Sequence, residues 1–209
     1  MYIPEHFRVG DHADAIGFMR ANPFAIMISS TEDGPFATHL PFSVRGDEDR
    51  LVLRGHVAKA NPHWRYLEQN PACLTIFHGA HAYVSASNYT TRENVPTWNY
   101  GAVHAYGNAR VFSAHEELQG VLQELIGTFE AAYAEQWASL SRDYRERMLS
   151  HIVGFEIAVT KIEAKFKLSQ NRSREEQSNV MASLDKSEDS IVSDVSRLMR
   201  EQGLGVKKP

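Results

Sequence analysis

At 209 residues the chain is long enough to bury one full core, or one core that carries a substantial extension. Its formal net charge of -4, with both signs interspersed, leaves no electrostatic footprint for nucleic acid and counts against direct DNA binding. An apolar fraction of 43% and an aromatic fraction of 10% are those of a soluble globular protein. No apolar run approaches the length of a bilayer span. The opening MYIPEHFRVGDH lacks the basic head and apolar centre of a secretory signal, so a cytoplasmic location and no membrane association are expected.

Residues 11 to 21 read as a first helix that Asp11 can cap and Asn22-Pro23 stops. Strands follow: Phe24 to Ser30, then Pro35 to Val44 after the turn signal Glu32-Asp33-Gly34, then Arg50 to Arg54 after Gly46 to Asp49. Turns, rather than helices, separate these runs, which is the order of an antiparallel meander.

The stretch Gly55-His56-Val57-Ala58-Lys59-Ala60-Asn61-Pro62 ends a strand and starts a short helix through Gln69. Unpaired helix N–H groups beside Lys59 and His56 suit a phosphate monoester. Ala72 to Phe77 is a further strand, and Cys73 within it, the single cysteine, is expected to be an inert core thiol. His78-Gly79-Ala80-His81 reads as a turn into Ala82 to Ser85, and its two histidines lack the partners of a metal ligand set. Thr97-Trp98-Asn99-Tyr100 is aromatic and amide-rich, able either to stack on a planar ring or to close a barrel end.

Val103 to Phe112 reads as a strand with Gly107 at a bulge. Ser113-Ala114-His115-Glu116 has the form of a capping box. Leu118, Val121, Leu122, Leu125, Ile126 and Phe129 then recur at helical spacing, as a core or subunit-interface stripe. A second helix is expected from Asp143 to His151. The last strand alternates Phe155, Ile157 and Val159, then changes phase after Lys161 to Ile162, Ala164, Phe166 and Leu168.

That strand delivers Lys165-Phe166-Lys167-Leu168-Ser169-Gln170-Asn171-Arg172, which passes from two lysines to hydroxyl, amide and guanidinium groups suited to holding an anion. Beyond it, residues 173 to 184 and 187 to 202 read as two helices, the second with a narrow stripe of Ile191, Val195, Leu198 and Met199. This division places a β domain at 1–172 and a helical extension at 173–209.

Taken in order, MYIPEHF, NPFAIMIS, ATHLPF, GHVAKANPHW, HAYVS, NVPTWNYGAVHAYG, IVGFEI and KFKLSQN resemble the PaiB family of FMN-binding proteins, named as negative transcriptional regulators. The resemblance implies a mainly β, α+β fold: an FMN-binding split β-barrel of the pyridoxamine phosphate oxidase group, dimeric, with the flavin at the subunit interface. It further implies that Thr38, His39 and Leu40 lie along the flavin and that His56, Lys59 and Asn61 approach its phosphate and ribityl chain. Trp98 would close over the ring, and Lys167, Ser169 and Gln170 would reach the partner's cofactor. The phosphate oxidase's own pattern has an Arg-Lys pair where this chain has Lys59-Ala60-Asn61, and an arginine-rich end where this chain has KLSQNR, which counts against pyridoxal chemistry. The function so implied is a homodimeric FMN-binding regulator that acts indirectly. The alternatives are a flavin-dependent oxidoreductase, in which FMN carries the chemistry, and a haem-binding or haem-degrading split barrel.

Overall fold

The computed structural model describes residues 1–205. Seven strands join one antiparallel-type sheet in the order β2-β1-β5-β6-β7-β4-β3. They are β1 (Phe24–Thr31), β2 (Gly34–Pro41), β3 (Ser43–Arg45), β4 (Val52–Ala58), β5 (Ala72–Val84), β6 (Thr97–Phe112) and β7 (Ile152–Lys167). The helices are α1 (His12–Ala21), α2 (His63–Gln69), α3 (His115–Phe129), α4 (Tyr133–Ser139), α5 (Arg142–Leu149), α6 (Arg174–Leu184) and α7 (Ser190–Glu201). None of the helices among the described residues is long and apolar enough to cross a membrane.

The chain forms two compact units. One comprises Met1–Asp11, His78–Val103 and Glu163–Pro209; the other comprises His12–Phe77 and His104–Ile162.

The second of these holds the meander. β1 and β2 form a hairpin closed at Thr31↔Gly34, and the other edge of β1 pairs with β5 from Ile26↔Ile76 to Ser29↔Cys73. β4 pairs with β3 and, from Val52↔Ala158 to Ala58↔Ile152, with β7. Because side chains alternate along these strands, one face is apolar: Phe42, Leu53, Phe77, Phe155 and Ile157 are fully enclosed. The Phe42 ring lies 5.7 Å from that of Phe77 and 5.8 Å from that of Phe155. The expected stripe of α3 does pack inward, with Leu118, Val121 and Leu125 against Phe112 and Leu149, while Phe129 stays exposed.

In the first unit the N-terminal segment lies along β7: the Val9 N–H donates to the Ala164 carbonyl at 3.2 Å, and the Met1 ammonium pairs with Glu163. Here α6 starts with a capping box in which Ser173 and Glu176 exchange hydrogen bonds. Val180, Met181 and Leu184 of α6 and Val195 and Met199 of α7 are buried, and Asp185 at the end of α6 accepts from Ser196 and Arg200 of α7. Ile191, the first residue of the expected stripe, remains exposed.

Three local expectations are corrected. Residues 78–81 are not a turn but the middle of the thirteen-residue strand β5, where the buried face switches from Cys73, Thr75 and Phe77 to Ala82 and Val84. The polar stretch there marks a change of phase within one strand. β6 ends at Phe112 as expected but begins at Thr97, and Ala114 rather than Ser113 takes the N-cap position of α3, with no side-chain cap bond. Finally, Tyr133–Ser139 is a helix where none is expected.

Candidate functional site

Two clusters of candidate residues occur, one in each unit. In the unit that holds the meander, Thr38 and Leu40 share one face of β2, while His39 points to the other. Leu40 is buried; His39 is exposed, its ring 6.4 Å from that of Phe24.

The Thr38 hydroxyl is held at both ends, by the Asn61 amide at 3.2 Å and by His63 Nδ1 at 2.7 Å. His63 Nε2 in turn meets the Ser29 hydroxyl at 3.1 Å, and Phe36 packs edge-on against the ring at 5.1 Å. Full enclosure lowers the pKa of His63 to about 4, so the ring is neutral at pH 7 and exchanges hydrogen bonds with two hydroxyls. His63 and Ser29 were not among the residues singled out from the sequence, because what encloses them comes from separate strands.

Asn61, the expected cap, accepts from the His63 N–H at 3.0 Å but lies one residue ahead of the observed N-cap, Pro62, whose carbonyl accepts from the Arg65 N–H at 2.9 Å. The start of α2 therefore offers fewer open N–H groups than the Asn-Pro spacing predicts. The Lys59 side chain is exposed and has no hydrogen-bond or ionic partner among the described residues. On the preceding strand, His56 Nδ1 is buried with no hydrogen-bond partner among the described residues, and burial lowers the pKa of this ring too.

The other unit contains the residues from the end of β7. Lys165 is buried, with its ammonium 5.3 Å from the centre of the Tyr100 ring and 3.3 Å from the Tyr2 carbonyl. Lys167 donates to the Thr97 hydroxyl and, at 2.8 Å, to the Trp98 carbonyl; both acceptors are neutral. Burial, and then the neighbouring charge of Lys165, lower its pKa. Trp98 is half exposed beside His81 and Tyr83, with ring separations of 6.0 and 6.2 Å.

Ser169 adopts a left-handed backbone with φ of 67°, a conformation that costs a non-glycine residue roughly 1–2 kcal/mol. Its buried hydroxyl is locked to the Asn99 amide at 2.9 Å. Gln170 turns back on its own strand, accepting from the Leu168 N–H at 2.7 Å and donating to the Phe166 carbonyl. Both side chains therefore shape the turn.

Beside it, a cleft of about 200 Å³ is lined by Phe7, Tyr89, Thr97, Lys167, Ser169 and Arg172. The Arg172 guanidinium lies 3.9 Å above the Tyr89 ring and donates to Asn94 at 2.6 Å. The Tyr89 hydroxyl is buried with no hydrogen-bond partner among the described residues. Lys167, whose acceptors are neutral, and the Tyr89 phenol give this cleft donors suited to a negative charge, while the charge of Arg172 also acts on the Glu176 carboxylate.

The family described as "Putative FMN-binding domain" matches residues 1–161. The chain is 38% identical over 204 residues to "Protease synthase and sporulation protein PAI 2" of Bacillus subtilis, covering 97% of this chain and 98% of that relative. The chain belongs to the PaiB family of FMN-binding proteins.

An uncharacterized protein of Emericella nidulans is 28% identical over 227 residues, covering 88% of this chain and 90% of its own length. Among solved structures, the flavocytochrome Anf3 of Azotobacter vinelandii superposes with a TM-score of 0.61 at 16% identity, over 79% of this chain and 72% of that one. The FAD and haem binding protein of Mycobacterium smegmatis superposes with a TM-score of 0.56 at 15% identity, over 77% and 73%. At such identity these two establish the α+β split-barrel fold alone.

FMN, the family's cofactor, presents a phosphate, a polyol and a planar ring with a hydrogen-bonding edge. Residues present could meet those needs chemically: Lys59, without an ionic partner among the described residues, or Lys167, whose acceptors are neutral, could take a phosphate, and His56 Nδ1 or the Thr38 hydroxyl could meet a polyol or ring edge.

Proposed function

We propose that this protein is an FMN-binding homodimer in which Thr38, His39 and Leu40 line the flavin, and His56, Lys59 and Asn61 hold its ribityl chain and phosphate. Trp98 covers the ring. Lys167, aided by Ser169 and Gln170 as shapers of its turn, serves the cofactor of the partner copy. The observation that carries this reading is that Lys59 and Lys167 both lack a carboxylate partner among the described residues, although the chain is acidic overall. A cation kept away from the available acidic side chains is free for a ligand's phosphate.

Bound FMN supplies hydride and single-electron chemistry. The protein's part is to fix the flavin through hydroxyl and amide groups whose own rotamers are locked, as Thr38 is by Asn61 and His63. The Bacillus relative's name ties it to protease synthesis and sporulation. A regulatory role for this chain is supported by that likeness, and its charge of -4 makes the effect on transcription indirect. Gel-shift measurements at physiological salt are expected to show no sequence-selective DNA binding; a tight, selective complex would overturn the indirect route.

The test of the site is Lys59→Ala and Lys167→Ala. Each should weaken FMN about ten-fold to hundred-fold, the effect of one charge-assisted hydrogen bond, while riboflavin binds as it does to the parent. Because the two lysines serve one cofactor from different copies, mixing the two variants should restore about one site per heterodimer. Equal loss of FMN and riboflavin would mean that the lysines act through the fold.

A further inference from the structure

The helical excursion between β6 and β7 contains a second pocket, of about 470 Å³, that the flavin reading does not use. Trp137 of α4 and Leu149 of α5 give it an apolar floor; Arg142, Arg145 and Glu146 of α5 and His115 of α3 give it a polar wall. Sequence alone does not assemble it, since α4 is the helix the spacing fails to predict.

Its charges do not balance internally. Arg142 is bound to Glu146, one helical turn away, at 2.6 Å, and that pair is neutral. Arg145 has no carboxylate partner among the described residues, and its Nε is buried without an acceptor. Trp137, about nine-tenths buried, likewise has an indole N–H with no acceptor among the described residues. Native interiors rarely leave two donors unsatisfied at one place, and each such donor is costly.

We propose that this pocket binds a small organic monocarboxylate with an apolar body, the carboxylate taking the N–H groups of Arg145 and Trp137 and the body lying on Trp137 and Leu149. One unpaired guanidinium matches one negative charge. A phosphate dianion would face Glu146 with a surplus charge and too few donors, so the monoanion is the chemistry favoured here. The planar fork of Arg145 suits the two oxygens of a carboxylate, and the indole N–H adds direction.

Calorimetric titration of the FMN-loaded protein with benzoate, and with its neutral analogue benzamide, tests this. Benzoate should bind saturably at one site per chain, and benzamide at least about ten-fold more weakly. Arg145→Gln should weaken benzoate about ten-fold to hundred-fold, and Trp137→Phe, which keeps a ring and removes the N–H, by a factor of about two to ten. The flavin absorption spectrum should not change as benzoate binds. Absence of saturable binding at millimolar benzoate would overturn the proposal, as would equal affinity for benzamide or an Arg145→Gln variant that binds as the parent does. A flavin spectrum that shifts on binding would place the acid at the cofactor and would also overturn it. Should Trp137→Phe fail to fold, Arg145→Gln, changed at a partly exposed side chain, decides the matter alone.

Discussion

His63 is the residue on which the geometry around Thr38 turns, and its chemistry sets a pH limit. Enclosure lowers its folded-state pKa from 6.5 to about 4. Above pH 6.5 the ring is neutral whether folded or not, and its hydrogen bonds contribute in full. As pH falls from 6.5 toward 4 the unfolded chain takes up the proton first, so stability is lost across that window. A difference of this size amounts to roughly 3 kcal/mol. Urea denaturation at a series of pH values should show that loss, and His63→Asn, which has no group titrating there, should reduce it, leaving the share that buried His56 contributes in the same direction. A parent protein equally stable at pH 4.5 and pH 7 would contradict the account. Lys59 and Asn61 stand out in GHVAKANPHW because charge and helix-start chemistry are local properties, although the observed N-cap is Pro62. The role of His63 was not, because Ser29, Phe36 and Thr38 reach it from other strands. Cys73 was legible as a core thiol, and burial raises its pKa to about 12.

The strands were legible as elements wherever alternation was regular, and the phase change in β7 appears in its burial, from Val153, Phe155 and Ile157 to Ala164 and Phe166. β5 was misread at residues 78–81 because a phase change rich in Gly and His has the composition of a turn. The helix Tyr133–Ser139 escaped because Trp137 is its single buried anchor, too little for a periodic signal. Gly107 stood out as a strand glycine, and its physical reason is close approach: a Cβ there would lie 2.4 Å from the Ala158 carbonyl oxygen. Gly107→Ala should therefore cost about 1–3 kcal/mol in urea denaturation, since backbone cannot easily give way. Gly17→Ala in α1, where a Cβ meets nothing within 4 Å, should instead be neutral or stabilising by up to about 1 kcal/mol. If both substitutions behave alike, close packing at Gly107 is not what the position requires.

For the molecule as a whole, motif order carried more than any single element. The eight ordered stretches pointed to the FMN-binding family, and the match over residues 1–161 bears that out. Composition and spacing alone reached only a meander with helical excursions, because the partners of each strand are a long-range property. Two details of the candidate site also lay beyond the sequence. Ser169 and Gln170 spend their side chains on the turn they belong to, while Tyr89, from a distant stretch, joins Lys167 and Arg172 in lining the cleft beside it. The central claim is that lysines with no carboxylate partner among the described residues select a flavin by its phosphate. A fluorescence titration of the unmodified, flavin-free protein with FMN and, separately, with riboflavin measures that selection directly. The account predicts saturation at one FMN per chain and an affinity for riboflavin at least about ten-fold lower; equal affinity for the two flavins, or no saturable binding of FMN, would contradict it.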